Sequence, residues 1–190
     1  MEGFQLIYLI RHGLDDESFI GGYSNVGLTE EGIHQIHESS LWLKENIQNI
    51  NKIYTSDIKR AVQSSEIINS YLNLEIEITK DLRELDKGLL NGMDKKLAKI
   101  NYPDYIEVND INIKYPNGES MLDLYKRIQL FLEKIVRYDN SLLVTHRGVI
   151  NMIYVLLNED ELTMDKKRYN VTHSSIHELN IEKKKIRRIK

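Results

Sequence analysis

The sequence contains a tripeptide suited to phosphate chemistry, Arg11-His12-Gly13, directly after the apolar run Phe4 to Ile10. A short apolar run of this kind predicts a strand that is buried on both faces. The arginine supplies a permanent cation beside a potential nucleophile, and the glycine allows the backbone to turn sharply and approach a bound anion. The tripeptide therefore predicts an anion site at the end of the strand.

A second histidine motif repeats this arrangement. The run Ser141 to Thr145 ends in His146-Arg147-Gly148, and a helix is predicted to begin there. Amides at a helix start can bind an anion, and Arg60 lies at the start of another predicted helix. Ligands of folds with parallel sheets collect at the carboxyl ends of the strands, so we expect these cations to lie in one crevice. A phosphoryl group is the anion that such a set of cations would bind.

Phosphoryl transfer also requires a proton donor for the leaving oxygen, and a carboxylic acid can serve. Glu84, in Leu82-Arg83-Glu84-Leu85, follows the predicted strand Ile76 to Thr79 and is our candidate. An alternative is a surface carboxylate paired with Arg83, which the local sequence favours.

Paired histidines are compatible with a metal site as well. Such a site combines neutral imidazoles with carboxylates, whereas Arg11 and Arg147 would repel a cation. We therefore expect no metal and no cofactor.

The composition excludes other functions. The chain has 190 residues, a formal net charge of -3 and no cysteine, so thiolate zinc sites and cysteinyl intermediates are excluded. This charge, with a pI near 6.1, gives no bulk attraction to nucleic acid or to anionic membranes. The segment Met1 to Ile10 is acidic at its start and too short in its apolar part to span a membrane or direct export. We therefore expect a cytoplasmic protein that binds neither nucleic acid nor membranes.

The chain alternates between predicted strands and helices. Strands are predicted at Phe4 to Ile10, Ile53 to Thr55, Ile76 to Thr79, Ser141 to Thr145, Ser175 to Ile181 and Ile186 to Ile189, and helices begin after Thr29, after Ser56 or Asp57, near Asp94, at Ser120 and near Ile150. This order predicts one α/β domain over residues 1–190, a three-layer α/β/α sandwich with a mostly parallel central sheet. The irregular segment 86–115 is interpreted as a small insertion or cap over the active site.

Seven segments, taken in order, resemble those of the histidine phosphatases, the phosphoglycerate mutase-like superfamily. They are Leu9-Ile10-Arg11-His12-Gly13, Leu28-Thr29-Glu30-Glu31-Gly32, Thr55-Ser56-Asp57-Ile58-Lys59-Arg60-Ala61, Leu82-Arg83-Glu84-Leu85, Pro116-Asn117-Gly118-Glu119-Ser120, Val144-Thr145-His146-Arg147-Gly148-Val149 and His173-Ser174-Ser175-Ile176. The resemblance covers nearly the whole chain.

The resemblance implies a role for each matching residue. His12 would be the nucleophile and Glu84 the general acid and base, and Arg11, Arg60 and His146 would hold the phosphate. A phosphohistidine on His12 would then be hydrolysed by water.

Further substrate contacts are expected from the residues themselves. Arg147 and Gly13 adjoin the two histidines, and Tyr23 could line a substrate pocket beneath the insertion. The usual threonine and asparagine of the family are replaced around Asp15 and Ser18, which leaves the substrate contacts open.

The remaining histidines are expected to have surface or capping roles and no part in catalysis; they are His34, His37, His173 and His177. The basic carboxyl-terminal segment is interpreted as an exposed edge strand whose charges prevent aggregation.

We therefore predict a phosphomonoesterase of the histidine acid phosphatase type that acts on a phosphorylated small molecule. A phosphoglycerate-type mutase remains an alternative, as do a phosphoprotein phosphatase and a phosphate-binding module without activity. The physiological substrate and the choice between monomer and homodimer remain open.

Overall fold

The computed structural model describes residues 6–190. Its strands are β1 (Leu6–Arg11), β2 (Lys52–Ser56), β3 (Ile76–Thr79), β4 (Ser141–Thr145), β5 (Ile176–Asn180) and β6 (Lys185–Arg188). Its helices are α1 (Glu30–Asn46), α2 (Lys59–Leu72), α3 (Lys95–Asn101), α4 (Met121–Leu132) and α5 (Arg147–Asn158). Short 3₁₀ turns lie at Lys80–Leu82, Gly88–Leu90, Pro103–Tyr105 and Ile135–Tyr138. Within these residues no helix is long and apolar enough to cross a membrane.

The described strands form a single mixed sheet in the order β3-β2-β4-β1-β5-β6. The first four strands of this order run parallel, whereas β5 pairs antiparallel with β1, and β6 pairs antiparallel with β5. The carboxyl ends of β1, β2, β3 and β4 consequently share one edge of the sheet, the edge at which ligands bind in folds of this class. The predicted α/β architecture is confirmed.

Alternate residues of β1 pack on opposite faces of the sheet. Ile7 and Leu9 belong to the core cluster that includes α4 and α5, and Tyr8 and Ile10 belong to the cluster that includes α1 and α2. Because successive side chains of a strand point to opposite faces, one continuous apolar run supplies both cores. The position of Arg11 and His12 is thereby fixed at the strand's end.

Side-chain caps begin two of the helices as the sequence predicts. The Thr29 hydroxyl accepts a hydrogen bond from the Gly32 amide at α1, and Ser120 forms a reciprocal capping box with Asp123 at α4. The helix α4 ends at Leu132, and a separate 3₁₀ turn follows at Ile135–Tyr138.

The start of α2 differs from the prediction, and the predicted start of β1 cannot be compared with the structure. The residue that precedes α2 is Ile58, without a side-chain cap, so the predicted cap at Ser56 or Asp57 is wrong. The Asp57 carboxylate is instead bound to the Arg83 guanidinium. Phe4, the predicted start of the first strand, lies outside the described residues.

Candidate active site

A cavity of about 170 Å³ opens at the carboxyl edge of the parallel strands. The predicted site residues that line it are Arg11, His12, Arg60, Glu84 and Arg147. They come from the end of β1, the starts of α2 and α5, and the segment after β3. Residues far apart in the sequence are thus brought to one place by the parallel sheet.

His12 presents a neutral imidazole to this cavity. Its Nδ1 lies 2.7 Å from the Gly13 carbonyl oxygen, which can only accept, so Nδ1 carries the proton. Its Nε2 accepts a hydrogen bond of 3.1 Å from Arg60 Nε. Burial, with the nearby charges of Arg60 and Arg11, holds the pKa of His12 well below its usual range. His12 Nε2 is therefore unprotonated at neutral pH, and its lone pair points to Arg60 Nε.

The Arg60 guanidinium is fixed by its surroundings. Its side chain is only 2% exposed, and besides the bond to His12 it donates to Ser24 Oγ at 3.1 Å and to the Gly22 carbonyl at 2.9 Å. Burial lowers the pKa of Arg60, while the carboxylates of Asp15 and Glu84 oppose that effect. The result is a positioned cation beside the nucleophile.

Arg11 holds a second cation at the end of β1. It donates from Nη1 to the Val171 carbonyl at 3.1 Å and from Nη2 to His173 Nε2, but its buried Nε has no partner among the described residues. Burial and then the charge of Arg147 lower the pKa of Arg11 to about 10, so the side chain remains protonated at neutral pH.

His146 lies behind His12, with 5.1 Å between the ring centroids. It is fully buried, its Nε2 is 3.0 Å from Ser56 Oγ, and its Nδ1 has no partner among residues 6–190. Burial and the charges of Arg60 and Arg11 hold the pKa of His146 well below its usual range.

Glu84 is held against the start of α5. One carboxylate oxygen accepts from the Leu85 amide at 2.9 Å, and the other accepts from the Gly148 amide at 3.1 Å. A Cβ at position 148 would lie 2.0 Å from Glu84 Oε1, so glycine is required for this contact. The alternative pairing of Glu84 with Arg83 is not observed, because the Arg83 guanidinium binds Asp57.

Three predicted substrate contacts do not line the cavity: Gly13, Tyr23 and His146, which lies behind His12. Gly13 is buried, and a Cβ there would lie 2.3 Å from the Gly32 carbonyl oxygen, so this glycine allows the loop to pack against α1. The Arg83 guanidinium lies 4.8 Å from the centre of the Tyr23 ring. Tyr23 therefore packs outside the cavity, and we do not include it in the site.

The structure places His173 beside His12, although the sequence predicts no part in catalysis for it. His173 bonds to Arg11, lies 3.8 Å from Asp15 Oδ1, and has its ring centroid 5.7 Å from that of His12. The signal was topological: β5 pairs antiparallel with β1, so the residues just before β5 adjoin the end of β1.

The other histidines set aside lie elsewhere. His34 is exposed, and His37 bonds to the Tyr71 hydroxyl on the surface. His177 is not a surface residue, because burial against Tyr154 leaves it 1% exposed and lowers its pKa to about 4.

Three basic side chains near Glu84 lie in the cavity without a carboxylate partner. Within the described part of the chain, Lys87, Arg147 and Lys166 form no ion pair. Burial and then the charge of Lys166 lower the pKa of Lys87 to about 8. Lys87 and Lys95 come from the predicted cap segment, whose function as a cap remains a prediction.

Two curated proteins are similar to this chain in sequence. A fructose-2,6-bisphosphatase of Saccharomyces cerevisiae is 32% identical over 155 residues, covering 78% of this chain and 33% of that protein. A 6-phosphofructo-2-kinase/fructose-2,6-bisphosphatase 3 of Bos taurus is 32% identical over 150 residues, covering 75% of this chain and 31% of that protein. The chain thus spans about a third of the length of these curated relatives.

Solved structures share the fold. The alpha-ribazole phosphatase of Shigella flexneri aligns with a TM-score of 0.81 at 21% identity, covering 95% of this chain and 93% of that one. A mycobacterial glucosyl-3-phosphoglycerate phosphatase aligns with a TM-score of 0.76 at 20% identity, covering 97% and 96% of the two chains. Residues 7–190 match the family model of the histidine phosphatase superfamily, branch 1. The chain belongs to the histidine phosphatase superfamily.

Proposed function

We propose that this protein is a phosphomonoesterase that hydrolyses a phosphorylated small molecule through a phosphohistidine on His12. The observation that carries the proposal is the state of His12, a neutral ring whose Nε2 lone pair lies between fixed cations. A nucleophile of this kind needs no further base to activate it. The guanidinium groups of Arg11 and Arg60 beside it attract an anion.

In the first step, His12 Nε2 attacks phosphorus in line with the leaving oxygen. Arg11 and Arg60 stabilise the charge on the equatorial oxygens, and the unpartnered Arg11 Nε supplies a further donor. His146 packs against the His12 ring behind the cavity, and when the Ser56 hydroxyl donates to its Nε2 the His146 proton is on Nδ1. As the P–O bond breaks, Glu84 gives its proton to the leaving alkoxide.

In the second step, water attacks the phosphohistidine while the Glu84 carboxylate accepts its proton. The P–N bond breaks, inorganic phosphate forms, and His12 returns to its neutral state. Glu84 ends the cycle protonated, ready for the next substrate. Both of its oxygens are held by backbone amides, which keep the carboxylate in the same position for both steps.

We further propose that the leaving group of the substrate carries a second anionic group. In an in-line reaction the leaving group lies on the side of its proton donor, and Lys87, Arg147 and Lys166 lie near Glu84 without a carboxylate partner among residues 6–190. Fructose-2,6-bisphosphatase and glucosyl-3-phosphoglycerate phosphatase, named among the related proteins, support a substrate of this type.

The direct test is turnover of matched substrates by the purified protein. We expect release of inorganic phosphate from an aryl phosphate, and a lower KM for fructose 1,6-bisphosphate than for fructose 1-phosphate, and for phosphoglycerate than for glycerol phosphate. Binding of all of these without phosphate release would contradict the proposed activity. Exchange between phosphoglycerate isomers that is faster than phosphate release would identify a mutase instead.

Substitution of the acid separates its role from that of the nucleophile. Glu84→Gln should slow alkyl phosphates by about 100-fold or more, and aryl phosphates much less, because a stable phenolate needs little help from a proton. Equal slowing of both substrate types would show that Glu84 is not the general acid.

A further inference from the structure

A carboxylate lies within the proposed phosphate site. Asp15 lines the cavity, its Oδ2 is 3.5 Å from Arg60 Nε, and its side chain is only 14% exposed. A carboxylate oxygen of Asp15 and one ring nitrogen each of His12 and His173 lie within 4.8 Å of one another. Burial alone would raise the pKa of Asp15, but the charge of Arg60 and the other polar contacts of the carboxylate outweigh it and hold this pKa below its ordinary value.

This carboxylate creates an electrostatic conflict for the reaction. A phosphoryl dianion within bonding distance of His12 Nε2 must also lie close to the Asp15 oxygens. Like charges that share a partly buried site disfavour each other, and uptake of a proton by a neighbouring group relieves the repulsion. The site therefore needs a group that can hold this proton.

His173 is in position to do so. In the empty site its Nε2 faces the Arg11 guanidinium, which can only donate, so this nitrogen is an unprotonated acceptor. The same Nε2 is 3.8 Å from Asp15 Oδ1. When a phosphate oxygen takes over the Arg11 N–H groups, Nε2 becomes free to bind a proton that faces Asp15.

The charged groups around this pair are contributed by several elements. Arg11 is at the end of β1, Arg60 is in α2, and the neutral His12 ring adjoins both. Asp16 and Glu17 are the neighbouring acids in the loop, and both are exposed to solvent. Among these groups, His173 is the one whose Nε2 faces Asp15 and can take up a proton when an anion enters. Lys87, another cavity group whose charge can change near neutral pH, lies near Glu84 instead.

We infer that the Asp15–His173 pair takes up one proton from solvent when a phosphoryl dianion binds beside His12. The proton goes to His173 Nε2, no other bond is made or broken, and the Asp15 charge is neutralised toward the ligand. Since binding consumes a proton, affinity for a dianion falls as the pH rises. This inference rests on the proposed function, because it requires the phosphate site described above.

Calorimetry of tungstate binding tests the inference, because tungstate keeps its double charge across the neutral range. Titrations in buffers of different ionisation enthalpy, between about pH 6 and 8, give the number of protons taken up. Near pH 6 we expect the wild type to take up close to one proton and Asp15→Asn to take up few or none, and near pH 8 we expect little uptake by either. The control Asp16→Asn, which changes an exposed neighbouring acid, should behave as wild type.

A second variant tests the site of the proton. His173→Asn should bind tungstate about tenfold more weakly than wild type near pH 6 and equally well near pH 8, because it cannot take the proton. Equal proton uptake by wild type and Asp15→Asn would overturn the inference, as would binding to wild type without proton uptake. Absence of tungstate binding to the wild type would instead refute the phosphate site itself.

Discussion

The contact between Gly148 and Glu84 gives a stringent test of the proposed acid. Gly148 lies in the first turn of α5, and its amide donates to Glu84 Oε2. Gly148→Ala adds one methyl group at this point and leaves every ionisable side chain in the site unchanged. Any loss of activity must then come from displacement of neighbouring groups.

The size of the displacement follows from the geometry. The new Cβ would lie 2.0 Å from Glu84 Oε1, whereas ordinary van der Waals contact begins at 3.4 Å. The carboxylate must therefore move by more than about 1 Å, and a misplacement of that size can slow a reaction by about 100-fold. The loss should resemble that of Glu84→Gln and be concentrated in substrates whose leaving oxygen needs a proton.

The assay compares kcat/KM for an alkyl and an aryl phosphate in three proteins. We expect Gly148→Ala to slow the alkyl substrate by about 100-fold and the aryl substrate only a few-fold. Gly21→Ala is the matched control, because Gly21 lines the same cavity and a Cβ there meets nothing within 4 Å. Thermal unfolding measures the cost of the disturbed contacts, which the higher helix propensity of alanine offsets in part.

Two results would refute this reasoning. Gly148→Ala with the rates of Gly21→Ala would mean that the position of Glu84 does not matter to the reaction. Equal slowing of both substrates would mean that the methyl group disturbs nucleophile attack rather than proton donation.

Three further predictions concern the surroundings of the site. Lys166→Met should raise the KM for fructose 1,6-bisphosphate by about tenfold and leave the KM for an aryl phosphate unchanged. The control Lys167→Met, at an exposed neighbouring position, should alter neither KM. Equal KM values in both variants would contradict the contact between Lys166 and a second anionic group. Since the folded-state pKa values of His12, His146 and His177 lie below that of a free histidine, the unfolded chain binds more protons, and stability falls as the pH drops below about 6.5, by up to about 1.4 kcal/mol per pH unit for each histidine. Denaturant unfolding at several pH values checks this, and equal stability from about pH 7 to 5 would refute it. Chelators should leave activity intact because cationic side chains carry the electrostatic stabilisation, so inactivation by EDTA with recovery on adding zinc or magnesium would contradict the account.

Local sequence was sufficient for much of the fold. Apolar runs specify β1 and β4 because each strand supplies both cores, and Thr29 and Ser120 mark their helices because they satisfy amides at the helix start. The motif histidines follow strands directly, so the strand assignments alone predict that they share one edge of the sheet.

The remaining features depend on contacts between distant segments. His173 reaches the site because β5 pairs antiparallel with β1, and nothing in its own neighbourhood indicates that pairing. Asp57 binds Arg83 across 26 positions, which both removes it as a helix cap and frees Glu84 from its sequence neighbour. These outcomes are set by tertiary competition for charged partners, which local patterns do not encode.

The central claim is that the phosphoryl group is transferred to His12, and rapid acid-free denaturation of the enzyme during turnover tests it most directly. The protein is mixed with a substrate labelled in its phosphoryl group, quenched under alkaline conditions that preserve phosphohistidine, and digested for mass spectrometry. The account predicts acid-labile phosphate on the peptide that contains His12 in the wild type, and none in His12→Ala, which should remain folded. The account is contradicted if the phosphate is found on a serine or if His12→Ala turns over substrate. It is also contradicted if the wild type turns over substrate without a labelled intermediate in a quench series that resolves the first turnover.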